Sequence, residues 1–444
     1  MKFLKHDPEI ATIIRNEQRR QKDVLEMIPS ENYTSSAVIE ALGSVLVNKY
    51  AEGQPYKRYY QGMANVDELE RLVEERALAA FGLDPEKWHV NVQPYSGSPA
   101  NAAIFMALLS PGDTIMPMYL SDGGHISHGW SFKEKKLSFA SMFYHIEFYH
   151  VDPETKLFDY KKLASTIQKV KPNMLVSGGT AYPRDINHEA LGKAAKSAGA
   201  LYLADVSHEA GLIAAGLLQS PFEHADVVMM TTHKTLRGPR GALIFSRKEL
   251  MEKIDKAVFP GLQGGPHMHT IAGIGVALKE TMTNEFKSYA KQIIKNAQML
   301  AAELIRYDYD VVSGGTDKHL VLVDLRNKGL SGKVPAIALE YANIVMNFNS
   351  VPYDTAPPLY PSGLRMGTPA ITSRGMGTKE MKQIARWIHE VITETAGYTV
   401  PENPKDRKKF VERTSLLLQK NKTISRIAKE VSSLTSKFPV PGIE

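Results

Sequence analysis

The sequence predicts an α/β protein built around a mainly parallel β-sheet, and three observations lead to this prediction. Between residues 90 and 245, short apolar runs typical of buried strands alternate with amphipathic stretches of about ten residues. Polar residues follow several of these runs, at the strand ends where open α/β sheets place their ligands. The length of 444 residues exceeds one typical core, so we expect a large domain and a smaller one.

The predicted elements support this architecture in chain order. The predicted strands cover residues 90–92, 113–118, 148–151, 173–178, 201–204, 227–230 and 241–245, followed by 310–312 and 320–325. The predicted helices include 8–27, 66–81, 160–170, 188–198, 269–301, 379–395 and 407–434. We therefore expect an N-terminal helical arm at 1–48, a large domain at 49–285 and a small C-terminal domain at 286–444.

Composition excludes several classes of protein. Hydrophobic residues make up 43% of the chain and charged residues 23%, as in ordinary globular proteins. The chain has no cysteine, which excludes disulfides and thiolate metal sites. No run approaches the roughly 18 apolar residues of a membrane span, and the start has no signal-peptide core, so we expect a cytoplasmic protein. The net charge of +6 comes from scattered basic residues, which favours a solvated surface over a nucleic-acid site.

Lys234 and Asp205 are the strongest candidates for chemistry. Lys234 follows the strand predicted at 227–230, and a lysine desolvated at such a strand end has a lowered pKa and becomes a competent Schiff-base nucleophile. Asp205 follows the preceding predicted strand, so both side chains are expected to face one crevice. Taken singly, a lysine more often reaches solvent and an aspartate more often caps a turn.

Two neighbouring motifs make the pair more specific. Ser96–Ser98 lies between a strand and a helix start, where free backbone N–H groups and the helix dipole favour phosphate. His125, in the loop SDGGHISHG, is suited to stack on a flat ligand; with His128 it lacks further ligands at metal spacing, so we expect no metal site. Combined with Lys234 and Asp205, these motifs describe a pyridoxal-phosphate site in which the aspartate keeps the pyridine nitrogen protonated.

Two further stretches suit an amino-acid substrate. The loop 50–62 places Glu52 among tyrosine and basic residues, as expected for a lid carrying a proton-transfer group; a solvated loop is the alternative. Arg365, in SGLRMGTPA, has the guanidinium needed to clamp a carboxylate in two parallel hydrogen bonds; a surface arginine is the alternative.

Beyond these patterns, the chain resembles the serine hydroxymethyltransferase family from PSENY at Pro29 to FPVPG at Phe438. The matching stretches are NKYAEGQPYKRYYQG, VNVQPYSGSPAN, DGGHISHG, ADVSHEAGL, TTHKTLRGPRGA, VFPGLQGGP, VVSGGTDKHLVLVDL and SGLRMGTPA. The resemblance implies a fold-type I pyridoxal-phosphate transferase, with a mainly parallel seven-stranded sheet and a smaller α+β C-terminal domain. It implies reversible transfer of the serine hydroxymethyl carbon to tetrahydrofolate, giving glycine and methylene-tetrahydrofolate. It also implies a homodimer with shared active sites, or a homotetramer.

The resemblance further implies roles for individual residues. Catalytic roles fall on Lys234, Glu52, Asp205, His125, His233 and Tyr60. Cofactor contacts fall on Ser96, Gly97, Ser98, His125, Thr180, Asp205, His208, Thr231, His233, Lys234 and Tyr50, with Gly264 and Gly265 from the neighbouring subunit; Tyr50 and Glu52 also cross that boundary. Substrate contacts fall on Ser30, Tyr60, Glu52, Arg365 and His208, folate contacts on Leu120, Gly124, Asn349 and Glu52, and a supporting role on Arg240.

Some positions depart from the usual family pattern. Tyr56 and Gln61 replace glycines in the tyrosine-rich loop, Glu209 follows His208 where an apolar residue is usual, and Phe348 stands where a lysine is common. None of these changes removes a catalytic group. A folate-independent pyridoxal-phosphate aldolase, or an alpha-methylserine hydroxymethyltransferase on the same site, is the alternative function. An RNA-binding protein with weak catalysis is disfavoured, because the catalytic set is complete.

Overall fold

The computed structural model describes residues 6–132 and 135–443; the first five residues of the predicted arm and Glu444 lie outside this part. The strands are β1 Leu25–Glu26, β2 Gly53–Gln54, β3 Lys57–Arg58, β4 Trp88–Asn91, β5 Thr114–Pro117, β6 Ser131–Phe132, β7 Lys135–Lys136, β8 His145–Ile146, β9 Met174–Ser177, β10 Leu201–Asp205, β11 Val227–Thr231, β12 Ala242–Arg247, β13 Asp310–Val311, β14 Leu320–Asp324, β15 Ile344–Val345, β16 Asn347–Asn349 and β17 Gly363–Gly367. The helices are α1 Pro8–Asp23, α2 Ser36–Leu42, α3 Ala64–Ala80, α4 Gly97–Leu108, α5 Phe139–Phe143, α6 Tyr160–Val170, α7 His188–Ala198, α8 Ala210–Ala214, α9 Met251–Lys256, α10 Met268–Thr281, α11 Asn284–Arg306, α12 Lys333–Tyr341, α13 Pro369–Ser373, α14 Thr378–Thr393, α15 Pro404–Leu418 and α16 Lys422–Thr435.

Two compact units make up the chain: Thr34–Lys291, here the sheet unit, and Met1–Tyr33 with Gln292–Glu444, here the terminal unit. This division differs from the predicted segments 1–48, 49–285 and 286–444 in the place of the N-terminal stretch. That stretch is split between the units at residue 33, and its first part belongs with the C-terminal residues.

The reason is that the N-terminal stretch contributes a strand to the terminal unit. We predicted a helix through residue 27, but α1 ends at Asp23 and β1 follows, pairing in parallel with β15. Arg374 then donates to the backbone oxygens of Val24 at 2.8 Å and Lys22 at 2.9 Å. A guanidinium that binds these carbonyls ties the N-terminal segment to the residue that follows α13.

The sheet unit contains a seven-stranded, mostly parallel sheet, as predicted. Its strand order is β4-β12-β11-β10-β9-β5-β8. The five strands from β11 to β8 are parallel, whereas β12 is antiparallel to β11 and β4 is antiparallel to β12. All residues of β9 and β11 are buried, which is why these strands read as continuous apolar runs in the sequence.

The helices of this unit begin and end at residues suited to capping. Asp159 caps α6 by accepting from two backbone N–H groups, and Asn187 caps α7 by accepting from one. Gly199 ends α7 in the left-handed conformation with a φ of +74°. Both helices match their predicted bounds, because caps and apolar period point to the same residues.

One predicted strand was wrong. Residues 148–151 form only an isolated bridge between Tyr149 and Met118, and the seventh strand is β8 at His145–Ile146. Part of the run at 148–151 is apolar because it is buried without belonging to a strand. Tyr149 is one of these buried residues, and its hydroxyl donates to the backbone oxygen of Val176 at 3.0 Å.

The terminal unit has its own sheet and its own core. Its four-stranded antiparallel sheet has the order β13-β14-β17-β16, and β14 pairs with β17 from Leu320–Gly367 to Asp324–Gly363. The apolar face of α14, including Ile384 and Ile388, packs in one core with strand residues of β14 and β17. Two helices, α15 and α16, occupy the stretch predicted as one helix at 407–434. Within residues 6–132 and 135–443, no helix is long and apolar enough to cross a membrane.

Candidate active site

Asp205, the last residue of β10, is held by hydrogen bonds from three donors. Its Oδ2 accepts from Asn101 Nδ2 at 3.0 Å and from His128 Nε2 at 2.9 Å, and its Oδ1 accepts from the backbone N–H of Ser207 at 3.1 Å. Burial alone raises the pKa of Asp205, but the hydrogen bond from His128 holds it well below its usual value. Asp205 is therefore a buried anion at neutral pH.

Lys234 lies just past β11, the strand next to β10. The two strands are parallel, with Asp205 aligned with Met229, so their carboxyl ends meet at one edge of the sheet. Lys234 is buried, with 8% of its surface exposed. Beside it, burial and then the charges of Lys234 and Arg240 lower the pKa of His233 to about 3. The imidazole next to the lysine is thus neutral at physiological pH.

The start of α4 stands against the end of β11. Ser96 is the N-cap residue, but its side chain makes no capping hydrogen bond, so the first turn keeps backbone N–H groups available for an anion. A Cβ added to Gly97 would lie 2.7 Å from Thr231 Cγ2, closer than real Cβ atoms approach. Glycine at this position therefore brings the helix N-terminus up to the sheet edge.

The loop that carries His125 is fixed against the end of β9. Gly123, with a φ of +115°, accepts from the backbone N–H of Thr180 at 2.6 Å. The next residue, Gly124, is packed so tightly that an added Cβ would meet a backbone oxygen at 2.2 Å. His125 Nδ1 lies 2.7 Å from Ser127 Oγ and accepts from the backbone N–H of Ser127 at 3.2 Å. The imidazole is therefore oriented by its own loop.

A second cluster in the sheet unit gathers Tyr50, Glu52, Tyr60 and two glycines. The Tyr50 hydroxyl donates to Glu52 Oε1 at 3.2 Å, and the rings of Tyr50 and Tyr60 meet edge to face at 5.5 Å. An added Cβ at Gly264 would lie 3.3 Å from Glu52 Oε1, and one at Gly265 would lie 3.5 Å from Glu52 Cγ. Hydrogen bonds to Glu52 raise the pKa of both tyrosines, so both hydroxyls keep their protons at neutral pH.

The terminal unit holds the remaining predicted site residues. Arg365, on β17, is buried and donates from Nε to Asn347 Oδ1 at 3.0 Å. Burial lowers the pKa of Arg365 to about 10, so it remains a cation at neutral pH. Asn349 lies on β16, the strand paired with β17. The segment that leads to Ser30 is tied to the same strand, because the backbone oxygen of Met27 accepts from Gly367 N at 2.7 Å.

The predicted site residues thus divide between the units. The terminal unit contains Ser30, Asn349 and Arg365; the sheet unit contains Tyr50, Glu52, Tyr60, Ser96, Gly97, Ser98, Leu120, Gly124, His125, Thr180, Asp205, His208, Thr231, His233, Lys234, Arg240, Gly264 and Gly265. Within the sheet unit, the structure brings one group of predicted residues together at the carboxyl edge of the sheet: Asp205, His125, Gly97 and Thr231. A second group lies around Glu52 and contains the two tyrosines and the glycine pair.

Sequence reasoning missed three residues of the Asp205 network. Asn101 lies one turn after Gly97 and directly before the apolar run 102–108, and a single amide beside such a run is a signal that the sequence contains. His128 entered the sequence analysis only as a metal ligand, yet it is the histidine that donates to Asp205. Ser127 connects Asn101 to His125, which no spacing rule predicts.

The seven-stranded, mostly parallel sheet and the helices that connect its strands define the class as an α/β protein. Comparison of sequences then defines the family. The sequence model described as "Serine hydroxymethyltransferase" matches residues 3–388, and the chain belongs to that family. The predicted family and fold class are therefore confirmed.

Individual relatives are similar over nearly the whole chain. The serine hydroxymethyltransferase of Acidothermus cellulolyticus is 48% identical over 438 residues, covering 99% of this chain and 96% of the relative. The protein of the same name from Caenorhabditis elegans is 45% identical over 456 residues, covering 99% of this chain and 89% of the relative. The cytosolic serine hydroxymethyltransferase of Oryctolagus cuniculus is 45% identical over 453 residues, covering 98% and 93%.

Proposed function

We propose that this chain transfers the hydroxymethyl carbon of serine to tetrahydrofolate, giving glycine and methylene-tetrahydrofolate, and that the reaction is reversible. Family membership over residues 3–388 supports the proposal. The structural observation that carries it is the anionic Asp205 and the buried Lys234 at one edge of a mostly parallel sheet. The name of the Oryctolagus cuniculus relative supports a cytosolic location.

The residues at this edge fit pyridoxal phosphate. The first turn of α4, brought to the edge by Gly97, suits the phosphate group. In our proposal, the anionic Asp205 holds a proton on the pyridine nitrogen, and Lys234 supplies the amine for the aldehyde. When bound, pyridoxal phosphate supplies an electron sink for a carbanion at the alpha carbon of the substrate.

Three further residues support the proposal. His125 is held by Ser127 in one orientation, as a ring that stacks on a flat cofactor must be. His233 is neutral, so it adds no positive charge beside the buried Lys234. In our proposal, Arg365 binds the substrate carboxylate, since a buried guanidinium is oriented by its bond to Asn347 and remains charged.

Glu52 is the proposed proton-transfer group, and we propose that it acts in the site of a second subunit. Tyr50, Glu52, Gly264 and Gly265 are the residues for which the resemblance implies a role across a subunit boundary. Their contacts with one another in one chain support a shared site, because residues that cross together must lie together. The proposed assembly is therefore a homodimer at least.

The direct test measures glycine formation from serine by the purified protein loaded with pyridoxal phosphate, with and without tetrahydrofolate. We expect turnover that depends strongly on tetrahydrofolate. Comparable rates without tetrahydrofolate would favour the folate-independent aldolase instead. Activity on alpha-methylserine that exceeds activity on serine would favour the other alternative.

Lys234→Arg tests the central residue and keeps its positive charge. We expect this variant to lack the visible absorption band of the lysine-bound cofactor and to gain no covalently attached cofactor after borohydride reduction, because a guanidinium does not condense with the aldehyde. Its circular dichroism should match that of the parent protein, which separates lost chemistry from lost fold. Covalent attachment of the cofactor to Lys234→Arg after borohydride reduction would contradict the assignment.

A further inference from the structure

Asn101 connects two groups that face the proposed cofactor. Both hydrogens of its side-chain amide are donated: one to Asp205 Oδ2 at 3.0 Å and one to Ser127 Oγ at 3.0 Å. Ser127 in turn contacts His125 Nδ1 at 2.7 Å. A single amide on α4 is thus bonded to the aspartate directly and to the stacking histidine through one hydroxyl.

The donors and acceptors in this hydrogen-bond network determine the tautomer of His125. The backbone N–H of Ser127 can only donate, and it lies 3.2 Å from His125 Nδ1, so Nδ1 is the acceptor nitrogen. The Ser127 hydroxyl accepts from Asn101, which leaves its own hydrogen to donate to the same Nδ1. The proton of a neutral His125 is therefore on Nε2.

Asp205 is similarly ordered by its donors. Its Oδ2 accepts from Asn101 and from His128 Nε2, and the latter nitrogen must carry a proton because a carboxylate only accepts. Its Oδ1 accepts from the backbone N–H of Ser207. With Oδ2 occupied by two side-chain donors, Oδ1 is the oxygen with a lone pair left to accept a proton held by a ligand.

Burying the side-chain amide of Asn101 costs free energy that only its hydrogen bonds can offset. Its side chain is fully buried on a helix whose neighbouring buried residues, including Ala100, Ala103 and Ile104, are apolar. Its Oδ1 has no hydrogen-bond partner among the described residues. An apolar residue of similar size would avoid this desolvation penalty, so the two donated hydrogen bonds account for the amide.

We propose that Asn101 is a positioning residue for the cofactor site, orienting the Asp205 carboxylate directly and the His125 imidazole through Ser127. The inference rests on the proposed function, since it assigns both oriented groups to one cofactor. It predicts that the loss of one amide both weakens cofactor binding and changes the hydrogen bond between Ser127 Oγ and His125 Nδ1.

The test compares Asn101→Ala with Asn296→Ala. Asn296 is also fully buried and also donates both amide hydrogens, at 2.9 Å to Thr372 Oγ1 and 2.9 Å to the backbone oxygen of Met376, but it belongs to the terminal unit. We expect Asn101→Ala to weaken pyridoxal-phosphate binding about 10- to 100-fold, the range for a lost hydrogen bond to a charged group. Asn296→Ala should change it less than about threefold.

A second variant, Asn101→Asp, keeps the size of the side chain but removes the amide donors. When the introduced carboxyl group is ionised, it places a second anion against Asp205 and no longer donates to Ser127. When it is protonated, it is neutral and can donate one hydrogen bond again. The ratio of the dissociation constant of this variant to that of the parent should therefore fall as pH drops from about 8.5 to about 6. A ratio that stays constant over this range, or one that rises, would contradict the proposed contact.

The third measurement needs no cofactor. In the apo protein labelled with ¹⁵N-histidine, the ring-nitrogen signals should report the Nε2–H tautomer for His125, and Asn101→Ala should shift the Nδ1 signal because the Ser127 hydroxyl is no longer oriented by the amide. Unchanged ring signals in Asn101→Ala, or equal loss of cofactor affinity in Asn101→Ala and Asn296→Ala, would overturn the proposal. The expected ring signals without any binding of pyridoxal phosphate by the parent protein would instead contradict the proposed function alone.

Discussion

Gly178→Ala should damage the site by pushing apart the ends of β9 and β10. Gly178 follows β9 with a φ of +105°, and a Cβ added there would lie 1.8 Å from the backbone oxygen of Asp205, where real Cβ atoms keep at least 3.0 Å. The backbone must therefore shift by about 1.2 Å, the difference between 3.0 Å and 1.8 Å. A left-handed conformation costs a residue with a side chain about 1–2 kcal/mol, and forcing a packed strand end apart adds about 1–3 kcal/mol.

Gly199→Ala is the matched control, since Gly199 also has a positive φ, +74°, but an added Cβ meets nothing within 4 Å. Thermal unfolding of both cofactor-free variants should show a loss of about 2–4 °C per kcal/mol. We expect Gly199→Ala to lower the Tm by about 2–8 °C and Gly178→Ala by about 4–20 °C, with weaker cofactor binding only in the latter. Equal effects of the two variants on Tm and on cofactor binding would refute the close-approach argument.

Three further predictions concern stability. Burial and then neighbouring carboxylates raise the pKa of Glu74 to about 8. Because the unfolded chain loses this proton at a lower pH, the Tm of the parent relative to Glu74→Gln should fall as pH rises from the ordinary carboxyl pKa toward 8. A Tm difference that stays constant over this range would contradict this prediction. Tyr202→Phe removes hydrogen bonds to Ser177 at 2.8 Å and His188 at 2.7 Å and should cost about 1–3 kcal/mol, measurable as a lower Tm. Arg374→Lys loses the planar fork that binds backbone carbonyls of both chain ends and should expose the N-terminal segment to limited proteolysis, with unchanged cleavage as the contrary result.

Local patterns predicted the elements wherever period, caps and burial agreed. The helices α6 and α7 have their predicted bounds, and the buried strands β9 to β11 lie within one residue of their predictions at each end. The prediction failed where an apolar run was buried without a strand partner, as at 148–151, because burial alone does not distinguish a strand from a packed loop. It also failed at β1, since pairing with β15 joins segments that are far apart in the chain.

The candidate site was also predicted only in part. The sequence analysis put Asp205 and Lys234 after two buried strands, and parallel pairing of neighbouring strands brings such ends together. The resemblance gave Tyr50, Glu52 and the glycine pair at 264–265 a role across one subunit boundary, but their contacts with one another became known only from the structure, because those stretches are distant in the chain.

Residue types and their order were enough to derive the α/β class, the family, and the strand ends that carry the predicted lysine and aspartate. The donors that hold Asp205, the nitrogen of His125 that accepts, and the core that receives the N-terminal segment became known from the folded chain alone. Those outcomes depend on hydrogen bonds whose partners, such as Asn101 and Asp205, are brought within 3.0 Å by the packing of a helix on a sheet. Contacts of this kind are set by the distances between atoms of separate elements, and no periodicity in the chain encodes them.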